Sequence, residues 1–185
     1  VDNLSDFAHL AFVHLKTLGG SEEYAFKTKS VAIERQERGF RVERWHMNAP
    51  PPPFHKKVVR DHGPVDRRNI AEMRVPGIFL METLFGPACS GAEKGNLAGA
   101  RQYRNCQFFT PETPRTTHFF WNYLHDSDLQ DSNIALSLYH SMVEGFMEDK
   151  AIIETQQKTL EADPAFAMNA IVSDAPLVHF RRTLA

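Results

Sequence analysis

Four side chains set the chemical question: Asp6, His9 and His14 near the start of the chain and Asp149 far from them. The first three form Asp-x2-His-x4-His inside Asn3-Leu-Ser-Asp-Phe-Ala-His-Leu-Ala-Phe-Val-His14, a stretch whose remaining residues are mostly apolar and read as a buried helix over 3–14. Two imidazoles and a carboxylate in such a segment would each be costly to bury without partners, roughly a few kcal/mol per unsatisfied group. A metal ion with an acidic neighbour satisfies all three. On an ideal helix Asp6 and His9 lie about 60° apart, while His9 and His14 diverge by about 140°. Both histidines can share one ion only if the helix is distorted or ends between them.

The third ligand is sought among Glu144, Glu148, Asp149 and Glu154 of a later helical segment. Asp149 shares a face with Met142, Gly145, Phe146, Ile152 and Ile153, inside the apolar stripe, whereas Glu148 falls with Ser141, Glu144 and Thr155 on the polar side. A carboxylate in a core position is protonated, ion-paired or metal-bound. His9, His14 and Asp149 together make a two-His-one-carboxylate set, the arrangement of mononuclear non-haem Fe(II) centres that activate O2. A zinc hydrolase would instead require His-Glu-x-x-His, which this spacing lacks.

These residues need elements to hold them. Period-two alternation on either side of Glu37-Arg38-Gly39 predicts a β-hairpin over Ser30–Met47, ended by Pro50–Pro53. Met73–Phe85 reads as one apolar strand and Gly86–Ala100 as a long loop. Tyr103–Phe109 and Thr116–Leu124 pair around Thr110-Pro-Glu-Thr-Pro114. Asp131 or Ser132 caps a long helix over Asn133–Glu161, stopped by Asp163-Pro164. Lys16–Lys29 reads as a surface loop or lid, and the tail Ile171–Ala185 has no clear pattern. The sum is an α+β layout.

Composition narrows the function classes. The 185 residues carry 21 Lys+Arg and 23 Asp+Glu, a formal charge of −2, with no basic cluster to engage nucleic acid or an anionic membrane. No stretch approaches the ~20 apolar residues of a membrane span. Two cysteines, Cys89 and Cys106, build neither a disulfide framework nor a cysteine-ligated cluster, and a reducing, cytoplasmic setting is the default. A first residue Val1 that runs at once into a patterned segment leads to the expectation that the natural protein begins further upstream.

The segment Asn3–His14, the Phe109-Thr-Pro-Glu-Thr113 turn followed by Thr117-His-Phe-Phe-Trp121, and Glu148-Asp149-Lys-Ala-Ile-Ile-Glu154-Thr-Gln-Gln157 resemble the catalytic domain of Rieske non-haem iron oxygenases, most closely oxygenase subunits of the vanillate O-demethylase type. The resemblance runs from residue 1 to the Arg181-Arg182 tail and implies a helix-grip domain, a curved antiparallel sheet around the long helix, with residues 1–185 as one catalytic mononuclear-iron domain. It implies His9, His14 and Asp149 as Fe(II) ligands. Asp6 would be the carboxylate that bridges to a Rieske cluster of a neighbouring subunit in a homotrimer, and Asn3, one turn earlier, would support the ligands. The family's 2Fe-2S Rieske cluster belongs to an N-terminal domain with Cys-x-His and Cys-x-x-His pairs, a pattern missing from these residues, so the chain is expected to be inactive without that half. By loose alignment Gln107 and His140 fall where the family places polar substrate contacts. Phe108, Phe109, Phe119, Phe120 and Trp121 suit an aromatic ligand or a plain core. His46, His55, His62, His118, His125 and His179 are read as structural.

The expected reaction is O2-dependent O-demethylation, or methyl hydroxylation, of a small aromatic acid, with electrons from a flavin/ferredoxin-type reductase. Hydroxylation of a methoxy group gives a hemiacetal that releases formaldehyde. The alternatives are ring dihydroxylation on the same scaffold and a non-catalytic helix-grip module that binds an apolar ligand.

Overall fold

A computed structural model describes residues 1–19, 30–59, 63–163, 165–167 and 169–184. Most of the predicted Lys16–Lys29 loop, together with His62 and Pro164, lies outside the described residues.

Six strands form one antiparallel sheet in sequence order: β1 Ser30–Gln36, β2 Gly39–Ala49, β3 Val65–Arg74, β4 Ile78–Pro87, β5 Arg101–Pro111 and β6 Thr117–His125. The first and last hairpins stand where alternation and turn chemistry put them, with Gln36 opposite Gly39 and Pro111 opposite Thr117. The single strand expected over Met73–Phe85 is instead the end of β3, a turn at Val75–Gly77 and most of β4. Strand β3 escapes detection because its inward positions include Arg67 and Asn69, 4% and 3% exposed, so polar residues occupy the face that normally signals burial.

Two apolar clusters pack on the sheet. Phe40, Val42, Ala71, Met73 and Phe79 pack with Phe7 and with Phe180 of the terminal helix. Phe54, Val65, Phe85 and Tyr103 pack with Leu138 and Met142 of the long helix. Each fully buried Phe, Met or Leu contributes about 1.5–3 kcal/mol, so packing at both ends fixes the sheet. The stretch between them is free to carry Thr83, Asn105 and Gln107, all buried polar residues.

Short helices α1 (Asp2–Ser5) and α2 (Pro53–Lys56) precede the long α3 (Ser132–Ala162), and α4 (Ala175–Leu184) closes the chain. The Asp131 carboxylate accepts from the amide of Asn133 at 2.9 Å and caps α3 as anticipated. Leu138, Ser141, Met142, Gly145 and Asp149 form its buried stripe. The predicted continuation of that stripe through Ile152 and Ile153 is not realised, since they are 50% and 43% exposed. At 1.5 Å per residue the 31-residue helix is about 46 Å long and outruns the sheet it packs on. Among the described residues no helix is long and apolar enough to cross a membrane.

Candidate metal centre

The continuous helix expected over residues 3–14 does not form. Helix α1 ends at Asp6, whose backbone is extended (φ −87°, ψ 96°) and whose Oδ1 accepts from the amides of Ala8 at 2.9 Å and His9 at 3.4 Å. The short carboxylate thus diverts amides that a helix would use. A 3-10 turn over His9–Ala11 follows, and the chain then reverses, with the amides of Thr17 and Gly19 donating to the carbonyl of His14 at 3.2 and 2.9 Å. Gly19 is required here, because a Cβ would lie 1.7 Å from the carbonyl oxygen of Leu10. The break removes the angular divergence of an ideal helix: the His9 and His14 rings stand 5.1 Å apart at 71°.

Helix α3 supplies the carboxylate. Asp149 is 7% exposed and His14 is 1% exposed; His14 Nε2 lies 3.0 Å and His9 Nε2 3.5 Å from Asp149 Oδ1. One ligating atom from each of the three residues falls within 4.8 Å of the other two. Asn3 Nδ2 donates to the same Asp149 Oδ1 at 2.9 Å. Gly145, one turn earlier, lets α3 approach closely, since a Cβ there would meet Leu18 Cδ1 at 2.5 Å.

Proton placement suits a cation at this point. His9 Nδ1 faces the main-chain carbonyl of Asp6, which only accepts, so Nδ1 carries the proton and Nε2 presents its lone pair to Asp149. His14 Nδ1 lies 2.7 Å from Glu148 Oε2, which likewise holds a proton on Nδ1 and leaves Nε2 toward Asp149. Burial lowers the His9 pKa, so that ring stays neutral. Burial also lowers His14, but its hydrogen bonds to Asp149 and Glu148 outweigh this and raise it. Two imidazole nitrogens and one carboxylate oxygen make a donor set suited to Fe(II).

Thr17 carries no signal in the periodic pattern of the sequence, and Glu148 enters there only as a ligand candidate that periodicity sets aside. Glu148 had been assigned to the polar side of its helix, yet its Oε2 meets His14 and accepts from Thr17 Oγ1 at 2.6 Å. The available signal was adjacency: Glu148 precedes a candidate ligand and Thr17 follows another by three residues.

The three ligand candidates line a cavity under the sheet, walled by Met142 and Phe146 of α3, Phe54, Tyr103 and Tyr123. Gln107 lines it too, with Oε1 buried and unpartnered, as has Asn105 Oδ1. His140 does not reach it: it is exposed and touches the ring of its neighbour Tyr139, because it lies on the opposite side of α3 from Asp149. The strand aromatics Phe108, Phe119 and Phe120 are 41%, 39% and 57% exposed and stand outside the lining. Among the other histidines, His55 bonds Tyr103 Oη at 3.0 Å, His125 the carbonyl of Ser127 at 2.9 Å and His179 that of Gly39 at 3.1 Å, all structural contacts.

Comparison with known proteins places this geometry in context. The family model described as the vanillate O-demethylase oxygenase C-terminal domain matches residues 1–185. The iron-sulfur subunit of the toluene-4-sulfonate monooxygenase system of Comamonas testosteroni is 35% identical over 181 residues, which cover 96% of this chain and 51% of that protein. The vanillate O-demethylase oxygenase subunit of Pseudomonas sp. strain HR199 is 27% identical, with 100% and 52% covered. The chain therefore spans about half the length of the curated relatives it matches. The crystal structure of dicamba monooxygenase bound to 3,6-dichlorosalicylic acid superposes with a TM-score of 0.80 at 19% identity, over 98% of this chain and 52% of that one, and shares its fold.

Proposed function

The chain belongs to the vanillate O-demethylase oxygenase C-terminal domain family, and on that premise we propose that residues 1–185 are the mononuclear-iron half of an aromatic monooxygenase. Its reaction is O-demethylation or methyl hydroxylation of a small aromatic acid. The observation that carries this reading is the convergence of His9 Nε2, His14 Nε2 and Asp149 Oδ1 at one end of an aromatic-walled cavity.

His9, His14 and Asp149 would hold Fe(II), which would supply the O2 activation needed to attack a methyl or methoxy C–H bond. The chain's own residues do the rest. Asn3 holds the Asp149 carboxylate through Oδ1, and Asp6 holds the His9 ring through its carbonyl. Leu10, Leu18, Met142 and Phe146 exclude water beside the ligands. The side-chain amide of Gln107 orients the polar substituent of the substrate, with its reacting methyl or methoxy group turned toward the histidines.

A 2Fe-2S Rieske cluster outside these residues, reduced by a flavin/ferredoxin-type reductase, would supply the electrons. In a homotrimer the Asp6 carboxylate, which accepts from the His9 amide, would be the residue that passes electrons toward the His9 ligand. The two free cysteines suit the cytoplasm.

The test is product analysis with the complete oxygenase and its reductase on methoxy- and methyl-substituted aromatic acids. One formaldehyde or one benzylic alcohol per O2 is expected. A ring cis-diol would assign the scaffold to dihydroxylation, and absence of metal with retention of an apolar ligand would make it a binding module.

A further inference from the structure

The ring of His14 is held at both nitrogens by consecutive residues of one helix: Nε2 by Asp149 Oδ1 at 3.0 Å and Nδ1 by Glu148 Oε2 at 2.7 Å. Successive helical side chains diverge by about 100°, so a pair at 148–149 can reach opposite edges of a ring inserted between them. His14 is that ring, and its side chain is 1% exposed. The Glu148 oxygen is itself fixed by Thr17, which is wholly buried and whose carbonyl accepts from the amide of Phe54 at 3.2 Å. Thr17 is tied in turn to the His14 carbonyl, so ring, carboxylate and hydroxyl form one closed circuit.

We infer that Glu148 is a positioning residue of the metal centre, acting with Thr17 through His14 Nδ1 to fix the ring's tautomer and plane and adding a second negative charge beside the ion. This rests on the metal reading above. A carboxylate on the far nitrogen makes a ligating imidazole more basic and removes its rotational freedom. With Asp149 it gives two carboxylate charges against a divalent cation, so the centre is balanced without a further acid. His9 is held differently, by a neutral main-chain carbonyl. The two histidines are therefore inequivalent donors, His14 the stronger and the more rigid.

The test uses Co(II) alone as probe, with calorimetric affinity and cobalt-edge X-ray absorption on purified protein, for the unaltered sequence, Glu148→Ala, Glu148→Gln and Thr17→Val. Glu148→Ala is expected to weaken Co(II) by about 10–100-fold and to blur the outer-shell imidazole scattering, while thermal unfolding of the metal-free protein stays cooperative. Glu148→Gln keeps an acceptor oxygen and is expected to restore the scattering but not the full affinity. Thr17→Val leaves Glu148 in place but unfixed, and is expected to blur the scattering with a smaller loss of affinity. Unaltered affinity and scattering in both Glu148 variants, with the parent protein binding one Co(II), would overturn the role of Glu148 and leave the triad intact. Failure of the parent protein to bind Co(II) would overturn the triad and this inference with it.

Discussion

The His9 and His14 rings meet at 5.1 Å although five residues of ideal helix would turn them away from each other. Their meeting depends on a chain break built from Asp6, which diverts the amides of Ala8 and His9, and on a reversal that ends at Gly19. The proposed metal centre thus depends on this backbone path as much as on its three candidate ligands, and residues outside the triad should affect it.

Gly19→Ala is expected to destabilise the protein by about 2–3 kcal/mol, because its Cβ would strike the main-chain oxygen of Leu10, which cannot move without the His9–Ala11 turn. Gly145→Ala meets the Leu18 side chain, at Cδ1 and Cγ, rather than main chain and is expected to cost about 1 kcal/mol. Urea unfolding of the two variants measures the difference. Equal effects would mean that the turn tolerates the methyl group.

Gln107 holds a buried oxygen without a partner on the cavity wall. Replacement by Leu is expected to raise stability by about 1 kcal/mol and to weaken binding of a methoxybenzoate by up to about tenfold, read by urea unfolding and calorimetry on the same preparation. His140→Ala, on the outer side of α3, is expected to leave that binding within twofold.

Burial raises the Tyr103 hydroxyl to about 12 and lifts Tyr123 well above the usual range. An unfolded tyrosine ionises near 10. The neutral rings therefore contribute stability that is complete below pH 10 and is lost as pH rises toward 12. Ultraviolet titration should show these two phenols silent at pH 11 until urea is added, and full ionisation of every tyrosine at pH 11 in the folded protein would contradict their burial.

How much of this was legible beforehand follows from which residues obey their local pattern. The β5–β6 hairpin and α3 announce themselves through alternation, a proline-flanked turn and an Asp131 cap. Asp149 announces itself as a carboxylate within an apolar stripe. Strand β3 does not, because Arg67 and Asn69 face inward. The path of residues 6–19 does not either, because it is set by Asp6 acting on the backbone and by Gly19 against Leu10, neither of which leaves a periodic trace. Glu148 reaches His14 from the flank of its helix, a position that periodicity assigns to solvent. His140 lies outside the cavity because it stands about 180° from Asp149 around α3, a separation that helical periodicity already carries.

The most direct test of the central claim is iron content after reconstitution under anaerobic conditions, by metal analysis and by the electron paramagnetic resonance of a nitric oxide adduct. The unaltered protein is expected to hold close to one mononuclear Fe(II), and His9→Ala and Asp149→Ala to lose it while remaining folded. Either variant retaining a full equivalent of mononuclear iron with an unchanged adduct signal would contradict the account.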